Sequence, residues 1–301
     1  MKKIKYLLVG LVLLLSFMLV SCEMNQGSNN NNQGEEQEVV SKKSFKLLCV
    51  GNSFSDNALK YMYPILESFG VENITIANLY IGGCTIDTHY QNALNNNSAY
   101  TYRKNTTGVF NNYENATLEL GLHDEKWNFI TMQQASGSSG IVSTYTNVDL
   151  LNGYIREQAT NSKVKVFWHM TWAYQQNASH SEFSKYDRDQ QKMYQMIVEA
   201  VNKKIVDNNK FDGIIPAGSA IQNARTSYVG DTLTIDGYHL NSLGEYIVGL
   251  TYVLSITGWS INDMDDEKVP SEFQDYLDII KESAVNALEK PFEITQSIYI
   301  E

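Results

Sequence analysis

The stretch "LLCVGNSFSDNALKYMYPIL", Leu47 to Leu66, decides the fold. An apolar run of strand character closes on Gly51-Asn52-Ser53, and an amphipathic helical pattern begins at once. A strand that turns directly into a helix is the opening unit of an α/β protein. Ser53 admits two readings at that junction. It can cap the free N–H groups of the helix start, a role Asp56 could share. It can also be a nucleophile, but a serine hydroxyl attacks poorly unless a neighbouring base takes its proton.

Working outward, further strand-like runs alternate with helical patterns. "FKLLCV" (45–50), "NITIANLY" (73–80), "NFITMQ" (128–133), "KVKVFWHM" (163–170) and "DGIIPA" (212–217) are the strand candidates. Between 185 and 207, Met193, Met196, Ile197, Ala200, Val201 and Ile205 recur at helical spacing. Two more helices are expected over about 242–257 and 270–289. Near-continuous apolar strands separated by helices predict a central, mostly parallel sheet of about five strands. Covered by helices on both faces, it makes a three-layer α/β/α sandwich. The Asn-rich segment 92–115 reads as a long surface excursion and a candidate wall for a binding site.

The N-terminus carries a separate message. Lys2, Lys3 and Lys5 precede an apolar run from Tyr6 to Val20, too short and wrongly flanked to span a bilayer. Residues 1–21 therefore read as a signal peptide. The run closes on Leu19-Val20-Ser21-Cys22, which resembles the lipobox of bacterial lipoproteins. That resemblance implies cleavage before Cys22 and lipidation of its thiol, hence a membrane anchor and a place in the bacterial cell envelope. Residues 22–43, with Asn29-Asn30-Asn31-Asn32, are too polar to bury surface and predict a disordered tether. Residues 44–301 form the remaining domain, with no internal repeat.

The formal net charge is −11, and losing three lysines with the signal peptide takes it to −14. Such a surface argues against nucleic acid and polyanionic substrates as partners. Beyond Cys22 only Cys49 and Cys84 remain, in no metal-type spacing; they read as buried thiols or, in an exported protein, a disulfide. No metal cluster, phosphate-cradling loop or dinucleotide fingerprint is present, so neither a metal nor a cofactor is expected. "GSAIQNAR" (218–225) reads as a helix start with Arg225 placed for an ion pair.

In an open parallel sheet, ligands bind beyond the carboxyl ends of the strands. The segments that follow them are Gly51-Asn52-Ser53, Ile81-Gly82-Gly83-Cys84, Gln133-Gln134-Ala135-Ser136-Gly137 and Thr171-Trp172-Ala173-Tyr174. Among the five histidines, His239 stands in Asp236-x-x-His239, where a carboxylate could orient the imidazole.

These blocks together resemble the SGNH (GDSL-type) hydrolase superfamily, in a bacterial lipoprotein branch of unknown function. Gly51-Asn52-Ser53-Phe54-Ser55 is similar to the Gly-Asp-Ser block that carries the family nucleophile. Asp236-Gly237-Tyr238-His239-Leu240 is similar to the Asp-x-x-His block, in the family's order. The resemblance implies a flavodoxin-like SGNH fold with Ser53, Asp236 and His239 as a catalytic triad. It also implies an oxyanion donated to by the backbone of Ser53 and of Gly83 in the Gly82-Gly83 pair. The family's third block, Gly-x-Asn-Asp, is absent, and "MQQASGSSG" stands in its place. A glutamine amide would have to replace the asparagine there. Strand alternation sends Gln133 and Gln134 to opposite faces, and Gln133 is the expected donor with Ser136 as helper. Gln134, Ser136, His89, Trp172 and Tyr174 are the candidate substrate contacts. The activity implied is an exported serine esterase that removes O-acetyl or other small acyl groups from carbohydrates. The alternatives are a lipase or thioesterase, or a glycan-binding lipoprotein without turnover.

Overall fold

The computed structural model describes residues 40–301. The expected signal peptide, Cys22 and most of the expected tether lie outside the described residues. The fold is a three-layer α/β/α sandwich around one seven-stranded sheet. In chain order the strands are β1 (Phe45–Gly51), β2 (Ile74–Tyr80), β3 (Tyr100–Asn105), β4 (Phe110–Ala116), β5 (Phe129–Met132), β6 (Lys165–His169) and β7 (Gly213–Ile215). Their spatial order is β4-β3-β2-β1-β5-β6-β7.

The five apolar runs form the parallel part, with β1 pairing β2 on one side and β5 on the other. Nearly all of β1 is buried, as a central strand with both faces covered must be. The crossover from β1 leads to β2 on one side, and the chain returns after β4 to add β5 on the other. A crevice therefore opens where the carboxyl ends of β1 and β5 part.

The sheet has seven strands rather than about five because the Asn-rich segment is not a loop. Residues 100–116 form the hairpin β3–β4, antiparallel to β2 and to itself, which extends one edge of the sheet. Its strands are polar, and β4 is exposed along most of its length. Such a strand lacks the apolar run of a buried one, and its charged and amide side chains keep the open edge from pairing further.

The helices are α1 (Ser53–Leu59), α2 (Met62–Ser68), α3 (Ile86–Leu94), α4 (Leu118–Asp124), α5 (Val148–Gln158), α6 (Gln190–Val201), α7 (Ala217–Arg225), α8 (Ser242–Thr257) and α9 (Leu277–Glu289). One layer is α1, α2 and α8, with α7 and α9 packed on α8; α3, α4 and α5 pack on one another in the other layer. Helix α8 is buried almost all round. Gly249 lets it approach α1 and α2, since a Cβ there would lie 2.9 Å from Ile65 and 3.3 Å from the Ala58 carbonyl.

The strand-to-helix turn itself is tight. A Cβ on Gly51 would fall 2.0 Å from the Ser55 Oγ and 2.9 Å from its Cβ, so only glycine lets α1 start directly above the strand. Gly51→Ala is expected to destabilise the domain by about 1–3 kcal/mol, the usual scale for forcing an extra methyl into a packed site. Urea denaturation followed by circular dichroism measures it, and an unchanged midpoint would contradict the packing described.

Candidate active site

The N-cap of α1 is Asn52, whose Oδ1 accepts from the Phe54 N–H at 3.0 Å. With the cap filled by its neighbour, Ser53 is the first residue of the helix and its hydroxyl is free to point elsewhere. It points to His239: the Ser53 Oγ lies 2.9 Å from Nε2. On the other side of the ring, Nδ1 donates to Asp236 Oδ2 at 2.7 Å. The second Asp236 oxygen accepts from the backbone N–H of His239 at 2.8 Å and of Tyr238 at 3.1 Å. Partial burial pushes the Asp236 carboxyl up, but these donors outweigh it and hold the group below the usual carboxylate range. The line carboxylate–imidazole–hydroxyl thus joins residues 183 and 186 positions apart.

The loop that carries His239 is pinned from several directions. The Leu240 N–H donates to Asn57 Oδ1 on α1 at 3.2 Å, and Asn57 in turn donates to Glu245 on α8 at 2.7 Å. Trp172 Nε1 donates to the Tyr238 carbonyl at 2.8 Å, and the Gln175 N–H to the Gly237 carbonyl at 2.7 Å. Gly237 has φ +95°, and a Cβ there would sit 2.8–2.9 Å from Ala178, so both conformation and space require glycine.

Trp172 and Tyr174 do follow β6, but both are fully buried and cannot meet a substrate. Trp172 stacks on Phe54 with ring centroids 4.2 Å apart, tying the helix of Ser53 to the loop of His239. Tyr174 packs against His180, Phe183 and Tyr238, and its hydroxyl meets half-buried Ser136 at 2.8 Å. His89 is likewise buried, with Nδ1 3.0 Å from the Tyr100 hydroxyl, and burial pushes its pKa down to about 3. It is a neutral core imidazole, not a surface contact.

The two glutamines are also committed. Gln134 accepts from the Ile86 and Ala135 N–H groups and donates to Thr144, so it splices the loop after β5 to the start of α3. Gln133 is buried beneath Asn52. Its Nε2 donates to Asn52 Oδ1 at 2.7 Å, while its Oε1 accepts from Ser55 Oγ at 2.7 Å and from His169 Nδ1 at 2.8 Å. The expected oxyanion donor is therefore a support one layer down, because three buried partners claim its amide. Asn52 passes that support on, donating to the Cys84 carbonyl at 3.3 Å. This role of Asn52 was missed in the sequence, although Asn before a helical run is a legible cap signal.

Gly83 stands exposed with φ +62°, on the turn that Cys84 closes. Neither the Ser53 nor the Gly83 N–H has an acceptor among the described residues. Cys49 and Cys84 are free and buried, and burial pushes each thiol up to about 12, so neither is a thiolate at neutral pH. His169 is buried and neutral as well. Arg225 pairs with Asp231, 2.8 Å away, and donates to the Ala173 carbonyl at 3.1 Å. No group of metal-ligating side chains occurs among the described residues.

Residues 46–284 match the model of a family described as a domain of unknown function, DUF4886, and the chain belongs to that family. It is similar to the crystal structure of a DUF4886 family protein from Bacteroides uniformis ATCC 8492. That likeness has 36% identity and a TM-score of 0.78, over 86% of this chain and 100% of the other. A more remote likeness is to a candidate SGNH hydrolase from Slackia heliotrinireducens, at 17% identity and TM-score 0.47, over 71% of this chain and 100% of that one. Another is to LAE5, an α/β hydrolase enzyme from the metagenome of Lake Arreo, Spain, at 12% identity and TM-score 0.45, over 71% and 95%. Among curated proteins, none matches the sequence.

Replacing Gln133 with Leu would strip Asn52 of a donor and leave Ser55 and His169 without their acceptor. Each buried group so orphaned costs about 1–3 kcal/mol. Gln133→Leu is expected to lower the unfolding free energy by at least that amount in urea titrations. A Leu variant as stable as the wild type would show that the network carries no weight.

Proposed function

We propose that this protein is a serine ester hydrolase of SGNH type. The single observation that carries the reading is the unbroken line Asp236–His239–Ser53, with contacts of 2.7 and 2.9 Å, at the carboxyl edge of a parallel sheet. His239 takes the Ser53 proton as Oγ attacks the ester carbonyl, and the negative charge moves onto the carbonyl oxygen. Asp236 holds the imidazole in the tautomer with its proton on Nδ1 and stabilises the imidazolium. The N–H groups of Ser53 and Gly83 receive the oxyanion. The imidazolium then gives its proton to the departing alcohol. Water, deprotonated by His239, attacks the acyl-enzyme and releases the acid and free Ser53.

An O-acetyl or other small acyl ester on a carbohydrate is the substrate class this reading favours. The flanking hairpin is polar, which suits a sugar better than a fatty acyl chain. Anchoring through a lipid on Cys22 belongs to the same reading. It is supported by the basic, apolar, Leu-Val-Ser-Cys order of the N-terminus. An envelope lipoprotein, periplasmic or surface-exposed, would be placed to meet the polysaccharide of its own compartment.

Ser53→Ala is expected to cut acetate release from acetylated polysaccharide or 4-nitrophenyl acetate by roughly a thousandfold or more, and Asp236→Asn by a similar factor. A fluorophosphonate probe should label the wild type and not Ser53→Ala. Full activity in Ser53→Ala would overturn the assignment of the nucleophile, and absence of labelling in the wild type would favour a binding module without turnover.

A further inference from the structure

The polar face of α1 that begins at Ser53 borders an open trough at its Asp56 and Lys60 end. Ser53, Asp56 and Lys60 recur at three and four residues, so they share one helix face, and the helix carries them about 10 Å along its axis. The opposite wall is the sheet surface of β2 and the hairpin. Ladder partners share a face, which places Asn78 with Arg103, Tyr80 with Thr101, Arg103 with Asn112, and Asn105 with Phe110 on the α1 side. Between the two walls lies an open pocket of about 380 Å³ lined by Asp56, Lys60, Arg103, Phe110 and Asn112.

The side chains in this pocket are held in place. Arg103 pairs with Asp56 and lies over the Tyr80 ring, 3.5 Å from its centroid. Asp56 also accepts from Asn78 Nδ2 at 2.8 Å, and the same amide donates to the Asn52 carbonyl at 3.2 Å, just before Ser53. The wall is therefore braced through the strand-to-helix turn, and its geometry is tied to that of the nucleophile. Phe110 is half-buried and Asn112 is exposed, so one offers a ring edge and face and the other a free amide. A guanidinium has more N–H groups than one carboxylate can accept, and Lys60 adds three more.

We infer that this trough is a glycan subsite, taking the sugar rings that flank the acylated one. The inference rests on the esterase reading above for the place of the reacting acyl group, but the subsite itself is a claim about binding. Fixed donors and acceptors at close spacing match vicinal hydroxyls, and an aromatic ring matches the C–H face of a pyranose. A fatty acyl chain would offer no partner to the Asn112 amide, to Lys60 or to the N–H groups of Arg103 that Asp56 leaves unclaimed, and would desolvate them. The hairpin thus supplies the wall, and the aromatic contact comes from Phe110 rather than from Trp172 and Tyr174.

The test uses chemically O-acetylated xylo- and manno-oligosaccharides of four to six residues beside 4-nitrophenyl acetate. In Phe110→Ala and Asn112→Ala, the ratio of kcat/KM for the better oligosaccharide to that for 4-nitrophenyl acetate should fall by about tenfold, through KM. That is the size of one lost stacking or hydrogen-bonding contact. Titration calorimetry on full-length Ser53→Ala, which reads binding without turnover, should show the same loss of oligosaccharide affinity on adding either substitution. An unchanged ratio together with unchanged affinity overturns the subsite, as does failure of Ser53→Ala to bind either oligosaccharide. If the wild type hydrolyses neither ester, the esterase reading falls, and the calorimetry still decides the subsite.

Discussion

The side-chain amide of Asn52 holds together the three strand ends from which the site is built. Its oxygen caps α1 after β1 and receives the Gln133 amide from the end of β5, and its nitrogen reaches the Cys84 carbonyl after β2. The residue is buried, so none of these groups has water to fall back on. In such surroundings each hydrogen bond adds only about 1 kcal/mol when made, and each broken one costs a full desolvation. That asymmetry makes the network directional. Once β1 and β5 pair, the positions of Ser53 and of the Gly83 turn follow from satisfying one amide. Ser55 and His169 complete the layer beneath, with the imidazole kept neutral by its burial.

The second half of the site arrives from the far end of the chain and is fitted to the first by packing. The loop 236–240 touches α1 through Asn57, the segment after β6 through Trp172 and Gln175, and Ala178 through the bare Cα of Gly237. The indole–phenyl stack of Trp172 on Phe54 lies between the two halves. A long intervening chain costs little more to close than a short one, because loop entropy rises only logarithmically. Precision at Ser53–His239 therefore depends on these local anchors, not on sequence proximity.

What the sequence makes legible follows from what each segment buries. The five parallel strands are readable because a strand covered on both faces must be apolar almost throughout. The hairpin 100–116 is opaque for the complementary reason: a polar edge ribbon whose outer strand is exposed along most of its length has no long apolar run to read. Ser53, Asp236 and His239 are visible as residue types in a family-like order, and the fold places them in contact. His89, Trp172 and Tyr174 sit in segments that follow strand ends, yet their direction is decided by core packing that no local pattern records. Gln133 fails as an oxyanion donor on similar grounds. Which way an amide turns depends on who else lacks a partner, and Asn52, Ser55 and His169 all do.

The same bookkeeping accounts for the two places where the motif departs from the family pattern it resembles. An aspartate at position 52 could cap α1 and accept from Gln133, but it has no N–H for the Cys84 carbonyl and would set a carboxylate against that oxygen. Asparagine accepts on one side and donates on the other, which fastens the turn bearing Gly83. Its oxygen can then take a second donor from β5, and glutamine at 133 supplies it while its own oxygen faces Ser55 and His169. Asn52 and Gln133 are thus one choice rather than two. Changing either alone leaves a buried polar atom without a partner, so the departures should travel together wherever this form of the turn occurs. In the proposed reaction the oxyanion is left to backbone N–H groups, whose positions the pair fixes from below.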